Sequence, residues 1–160
     1  MASAVKSPPT YRRAALHDVE ALIQMRFNLL YESHFAPEGS DRARMEEAFH
    51  AYFKEHLPAG DFIGWVAEAD GRVVGTGGMV LWHKPPLDDD PSGREAYVMN
   101  MYTVAEYRGQ GIATRLMDIL IEEARAQGIK RIRLHASEAG VRVYQAKGFV
   151  FNPSDMILKL

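Results

Sequence analysis

Apolar residues recur at three- and four-residue steps through Val19, Leu22, Ile23, Phe27 and Leu30. That is the spacing of one helical face, and it predicts a helix over 18–32. Asp18 and Glu20 suit its first turn, where the backbone carries partial positive charge. Met45, Ala48, Phe49, Tyr52, Phe53 and Leu57 mark a second helical face over 41–56. Ser40 is its expected N-cap, and Pro58-Ala59-Gly60 its stop. Pro37-Glu38-Gly39 separates the two helices. Ahead of them, 11–14 reads as a short strand and 1–10 as a disordered tail, leaving 11–160 as one domain.

The period changes after residue 60. Residues 62–68 and 72–82 have strand composition, with Asp70-Gly71 as a hairpin turn between them. Gly75, Gly77 and Gly78 inside the second strand predict a bulge or a close backbone approach. A polar loop over 83–95 follows, with Pro85-Pro86 and Asp88-Asp89-Asp90. Residues 96–104 are apolar at nearly every position, as in a strand buried on both faces. A Gly-rich turn at 108–113 leads into a helix to about 127, with Leu116, Ile119, Leu120 and Ala124 inward and Gly128 as C-terminal cap. A strand at 131–136, a short helix at 138–147 and two last strands at 149–151 and 156–160 complete the order. Three consecutive strands, two joined by a hairpin, predict a mixed sheet with helices packed on it.

Composition narrows the function. Lys and Arg total 19 against 21 Asp and Glu, a net charge of −2. Bulk basicity is therefore absent, and no nucleic-acid or membrane partner is expected. There is no cysteine, which removes disulfides, thiolate metal sites and cysteine nucleophiles. The six histidines form no His-x-x-x-His pair, so no metal is expected. No apolar run approaches the ~18 residues of a spanning helix. The first ten residues lack the apolar centre of a signal peptide, and a soluble, cytoplasmic protein is expected.

The most informative stretch is Arg108-Gly109-Gln110-Gly111-Ile112-Ala113-Thr114, where a buried strand ends and a helix begins. The first N–H groups of a helix lack internal partners, and the helix dipole adds positive charge there. Together they suit an anion, and the small residues allow a phosphate close to the backbone. The turn lacks the Gly-Lys-Ser/Thr of a nucleotide triphosphate site. Thr114 also stands where a dinucleotide fingerprint needs Gly or Ala.

These residues resemble the Arg/Gln-x-x-Gly-x-Gly/Ala signature of the GNAT superfamily of N-acetyltransferases. A second segment, Tyr144-Gln145-Ala146-Lys147-Gly148-Phe149, resembles the Tyr-x-x-x-Gly-Phe segment that closes the acyl-coenzyme A site in many members. The element order is similar to that fold from about Tyr11 to Leu160. The resemblance implies an α/β (α+β mixed), mostly antiparallel twisted sheet with a splayed central parallel pair and about four helices. It implies acetyl transfer from acetyl-coenzyme A to a primary amine by direct attack, on a small molecule or on an amino group of a peptide or protein. It also implies a possible homodimer. The chain departs from the family at Ser137, where Asn is common, at Gly140, where Ala is common, and at Ala105, where Pro is common. Ser137 retains capping chemistry and is counted with the cofactor residues. Gly140 is expected to cost helix stability and to matter little to chemistry.

Four roles follow from the resemblance. Backbone N–H groups of Gly109, Gln110, Gly111, Ile112, Ala113 and Thr114, with Arg108, would hold the pyrophosphate. The backbone of Met101, Tyr102, Thr103 and Val104 would pair with the pantetheine arm and supply an oxyanion donor. Tyr144 would protonate the departing thiolate, since a phenol is protonated at neutral pH. A base must take a proton from the acceptor ammonium. Glu95, at the entry to the central strand, is the leading candidate, ahead of Glu32, Glu38 and His83. Asn100 is a further candidate for orienting a water or the acceptor, and His135 is read as a positioned structural residue. The competing readings are a non-catalytic acyl-coenzyme A sensor and a phosphate-binding scaffold.

Overall fold

A computed structural model describes residues 7–35, 39 and 41–160. Most of the expected tail, together with Pro37, Glu38 and Ser40, lies outside the described residues. Strands β1 (Thr10–Arg13), β2 (Phe62–Ala69), β3 (Arg72–His83), β4 (Arg94–Thr103) and β5 (Ile132–Leu134) form one sheet in sequence order. The first four pair antiparallel, and β5 joins β4 in parallel. Helices α1 (Val19–Glu32) and α2 (Arg42–Ala59) cover one face. Helix α3 (Ile112–Ala126) covers the other, and the short α4 (Val141–Ala146) follows β5.

Each layer has its own core. Leu22, Ile23 and Phe27 of α1 and Phe53 of α2 pack on Phe62 and Val66 of β2. Met117, Leu120 and Ala124 of α3 pack on Ile63, Met79, Ala96 and Val98. Strand alternation explains the division, because neighbouring residues such as Phe62 and Ile63 point to opposite faces. Burying a side chain such as Phe27, Phe53 or Phe62 contributes roughly 1.5–3 kcal/mol.

Several boundaries shift from the sequence reading. Asp41 caps α2, its carboxylate accepting from the Arg44 N–H at 3.1 Å. That helix runs through Pro58 and stops at Gly60, whose φ is +79°. Regular α4 begins at Val141 rather than 138, after a turn in which the Ser137 carbonyl accepts from Gly140 and Val141. The two last strands do not form. Residues 149–151 and 156–160 carry strand composition but join no strand among the described residues, and Val150, Phe151, Met156, Ile157 and Leu158 are exposed. Strand propensity is realised only against a partner that completes the ladder.

The glycines of β3 allow close approach, as expected. A Cβ at Gly77 would meet Met101 Sδ at 2.8 Å, and one at Gly78 would meet the Phe62 ring at 2.5 Å. Opposite Gly77, β4 bulges. Thr76 faces Tyr102 and Gly78 faces Met99, so Asn100 and Met101 together oppose one residue. Asn100 takes the left-handed φ of +60°. Its carbonyl accepts from Thr76 Oγ1 at 2.8 Å and its Nδ2 donates to the Leu22 carbonyl at 3.2 Å. The extra residue inverts the alternation of β4. Ala96 and Val98 face α3 before the bulge, whereas Met101 packs on that side after it.

Candidate active site

β5 accompanies β4 only as far as the pair Val98–Leu134. Beyond it β4 continues to Thr103 while β5 ends, so the two strands part. The gap opens into a cavity of about 1070 Å³ lined by Met101, Tyr102 and Thr103 on one side and Ala136, Ser137, Gly140 and Tyr144 on the other. The same cavity reaches Arg108, Gly109, Gly111, Ile112, Ala113 and Thr114 at the start of α3. Gly109 and Gly111 have φ of +75° and +78° and open space where a side chain would stand. The first internal bond of the helix is made by the Arg115 N–H to Gly111. The preceding N–H groups therefore remain available to a ligand.

Expectations for single residues divide. Met101, Tyr102, Thr103, Ser137 and Tyr144 line the cavity. Val104 and Gln110 are not among its lining residues. The Val104 N–H donates to Val74 at 3.0 Å and its carbonyl accepts from Tyr107 at 3.0 Å, so its backbone is committed within the chain. Arg108 lines the cavity, but its guanidinium is engaged. It donates to Glu32 at 2.7 Å, to the Tyr102 hydroxyl at 3.1 Å and to the Thr103 carbonyl at 2.9 Å. Its charge thus ties the end of α1 to the β4 wall. The Tyr102 hydroxyl, followed by Arg108, holds the Glu32 carboxyl below its ordinary pKa despite some burial.

Glu95 is a structural residue here. It is 1% exposed, appears in neither cavity lining described here, and accepts from Lys84 at 2.5 Å and Arg133 at 2.7 Å. Burial pushes its pKa up, but the bonds from Lys84 and Arg133 prevail and hold it below the ordinary 4.5. A carboxylate so held is a poor proton acceptor. Glu95→Gln is expected to cost about 2 kcal/mol in denaturant unfolding at pH 7, since it leaves two cations facing a neutral amide. The depressed carboxyl stabilises the fold above pH 4.5, so the difference from wild type should shrink as pH falls below that value.

A smaller cavity of about 300 Å³ shares Leu29, Phe35, Met101, Ser137 and Tyr144 with the first. Its other walls include Arg26, Leu30, Tyr97, Met99, Asn100, Leu134 and His135. The Tyr97 hydroxyl and His135 Nδ1 are hydrogen-bonded. Tyr97, Met99 and Met101 are half-buried because they face these cavities, which is why β4 is not covered on both sides. Tyr144 stands where the cavities meet. Burial raises its pKa above the ordinary 10.0, and its ring packs edge-on against Phe149 at 6.0 Å. Gly140 makes room for that ring, as a Cβ there would lie 2.7 Å from it and 3.2 Å from the hydroxyl. Gly140 thus has a steric part in the site beyond its effect on helix stability.

The family model described as the acetyltransferase (GNAT) family matches residues 23–149. The chain belongs to that family. Among solved GNAT relatives, a predicted acetyltransferase from Clostridium acetobutylicum, determined with acetyl-CoA, shares 30% identity at a TM-score of 0.87, covering 95% of this chain and 96% of the other. A GCN5-related N-acetyltransferase from Ralstonia eutropha shares 25% identity at a TM-score of 0.85, covering 96% and 99%. Probable N-acetyltransferase family 8 member 5 of Mus musculus is 34% identical over 109 residues, 66% of this chain and 44% of the relative. This chain spans less than half the length of the curated relatives just below it in similarity as well.

Sequence reasoning places Arg26 and Glu32 on helices that the resemblance assigns to the substrate wall but gives Arg26 no role, and it passes over Tyr97 and the buried Thr103 hydroxyl. Arg26, Tyr97 and His135 lie far apart in the chain, and only the fold gathers them. No described helix is long and apolar enough to cross a membrane. Ligand-type atoms of Glu20, Glu46 and His50 lie within 4.8 Å of one another on α1 and α2. None of these three residues lines either cavity.

Proposed function

We propose that this GNAT chain transfers an acetyl group from acetyl-coenzyme A to a primary amine. The observation that carries this reading is the parting of β4 and β5 beside the start of α3, with Tyr144 at the junction of the two cavities. The residues fit the cosubstrate. The buried Thr103 Oγ1 has no hydrogen-bond partner among the described residues, and Thr103 is one of the residues along the wider cavity, where an extended arm would run. The Clostridium relative solved with acetyl-CoA supports the same occupant.

Acetyl-coenzyme A, when bound, supplies the acetyl thioester. The N–H groups of Gly109, Gly111, Ile112, Ala113 and Thr114 bind its pyrophosphate. The backbone of Met101, Tyr102 and Thr103 aligns the arm, and an N–H of this stretch stabilises charge on the thioester oxygen. His135, whose Nδ1 is engaged by Tyr97, takes a proton from the acceptor ammonium at Nε2 and leaves a neutral amine. The amine nitrogen bonds to the acetyl carbon as the carbon–sulfur bond breaks. Tyr144 gives its hydroxyl proton to the sulfur and regains one as His135 loses the proton it took, and the second proton lost from nitrogen passes to solvent. Products are the acetamide, coenzyme A thiol and one proton.

Calorimetric titration with acetyl-coenzyme A and with coenzyme A tests the binding half, and thiol release across an amine panel tests the chemistry. Saturable binding with turnover is expected. Binding without turnover would favour a sensor, and no binding to folded protein would end the acetyltransferase reading. Gly140→Ala should tilt the Tyr144 ring and lower kcat about 10-fold, a partial loss set against the 10²–10⁴ of removing a general acid outright, with cosubstrate affinity changed less than about 3-fold. An unchanged kcat would return Gly140 to a helix-end role.

A further inference from the structure

Arg26 differs from several arginines around this sheet. Arg12, Arg13, Arg108, Arg131 and Arg133 each meet a carboxylate within 4.0 Å. No carboxylate among the described residues pairs with Arg26, and its recorded contact is the face of Phe49, 5.7 Å from the ring centroid. Arg26, half-buried on α1, is one of the residues that line the smaller cavity. Burial lowers its pKa from the ordinary arginine value, and only the hydroxyls of Tyr52 and Tyr97 act in the opposite direction. Withdrawing an arginine from water without a counter-charge is costly, and such residues are usually paired. The unfilled half of this pair therefore belongs to whatever enters the cavity.

The rest of the cavity describes that molecule. A guanidinium presents a planar fork of donors that matches a carboxylate bidentately. Leu29, Leu30, Phe35, Met99 and Leu134 give the walls apolar character. A volume of about 300 Å³ is at the small end of ligand sites, and suits a single small molecule better than a folded chain. Asn100, whose buried Oδ1 has no hydrogen-bond partner among the described residues, adds a polar residue to these walls.

We infer that the acceptor is a free α-amino acid with an apolar side chain, held through its carboxylate by Arg26 in the smaller cavity with its amine toward Tyr144 and Met101. This rests on the acetyl-transfer reading for its chemistry, but the recognition is testable by binding alone. Three probes share one side chain. L-leucine carries the carboxylate, 3-methylbutylamine lacks it, and leucinamide stands in for a peptide N-terminus.

Each is titrated calorimetrically into the full chain, with and without coenzyme A, and each is assayed for thiol release with acetyl-coenzyme A. Leucine is expected to bind, and to react with a higher kcat/KM, at least 30-fold better than either of the others. Arg26→Gln should remove that preference by weakening leucine roughly 10- to 100-fold, chiefly in KM, the range for one charge-assisted hydrogen-bond pair. Arg26→Lys, which keeps charge without the fork, should lie between. Coenzyme A affinity should be the same in all three proteins, because Arg26 does not line the wider cavity. Equal binding of leucine and 3-methylbutylamine by wild type, preference for leucinamide, or a leucine preference that survives Arg26→Gln would each overturn the inference. Failure of coenzyme A to bind would overturn the acetyl-transfer reading, while leucine binding lost in Arg26→Gln would still support the carboxylate site.

Discussion

Tyr144→Phe is expected to lower kcat about 100-fold while leaving acetyl-coenzyme A affinity within about 2-fold. Only the hydroxyl is removed, and the ring still packs on Phe149 beside Gly140. Loss of a positioned general acid typically costs 10²–10⁴ in rate, or about 3–5 kcal/mol of barrier. The pH profile adds a sign. Burial raises the Tyr144 pKa, so its proton remains in place through the range where an ordinary phenol of pKa 10.0 begins to ionise. Wild-type turnover should therefore hold to pH 10, with its alkaline fall beyond the ordinary value. The measurement is steady-state thiol release from pH 6 to 11, with calorimetry for affinity. An unchanged kcat would return Tyr144 to packing.

Gly111→Val should weaken acetyl-coenzyme A binding at least 30-fold and lower stability by about 1–3 kcal/mol. Two effects act together. The φ of +78° is one that a β-branched residue rarely adopts, and the new side chain would project into the space before the helix amides. Gly128→Val separates them. Gly128 also has a left-handed φ, +73°, and open space at its Cβ, but it lies at the other end of α3. It should lose comparable stability in thermal unfolding and keep its affinity. Equal affinity losses in the two variants would show that strain alone, and not the phosphate approach, explains the result.

How much could be read beforehand depended on the range of the interactions involved. The start of α3 was legible because its chemistry is local, with two glycines, a strand end and a helix N-terminus within a few residues. The face of α1 was legible from its period, and the Asp70-Gly71 turn from its residues. Glu95 was misread because the groups that neutralise it, Lys84 and Arg133, come from other parts of the sheet. A carboxylate in a sequence carries no sign of its cations. The last strands were misread because apolar alternation reports a capacity to pair, and the partner is supplied elsewhere. The steric part of Gly140 was not legible because its neighbour in space is a ring one helical turn on, which helix propensity omits. Arg26, Tyr97 and His135 belong to α1, β4 and the end of β5, and no local spacing connects them.

The bulge in β4 has a consequence for building hybrids of this chain with its relatives. With Asn100 in place, Tyr97 and Met99 face the smaller cavity while Tyr102 reaches Glu32. Those odd and even positions share a face only because one residue has been inserted between them. A hybrid that deletes Asn100 keeps both halves of β4 on their present faces and loses only that residue's hydrogen bonds. A hybrid that keeps every residue of β4 but pairs it with a β3 that forces a regular ladder would turn the downstream half over, with Tyr102 toward α3 and Met101 toward α1. β3 and β4 are thus exchanged together, and in a library of recombinants the viable junctions should fall outside that pair.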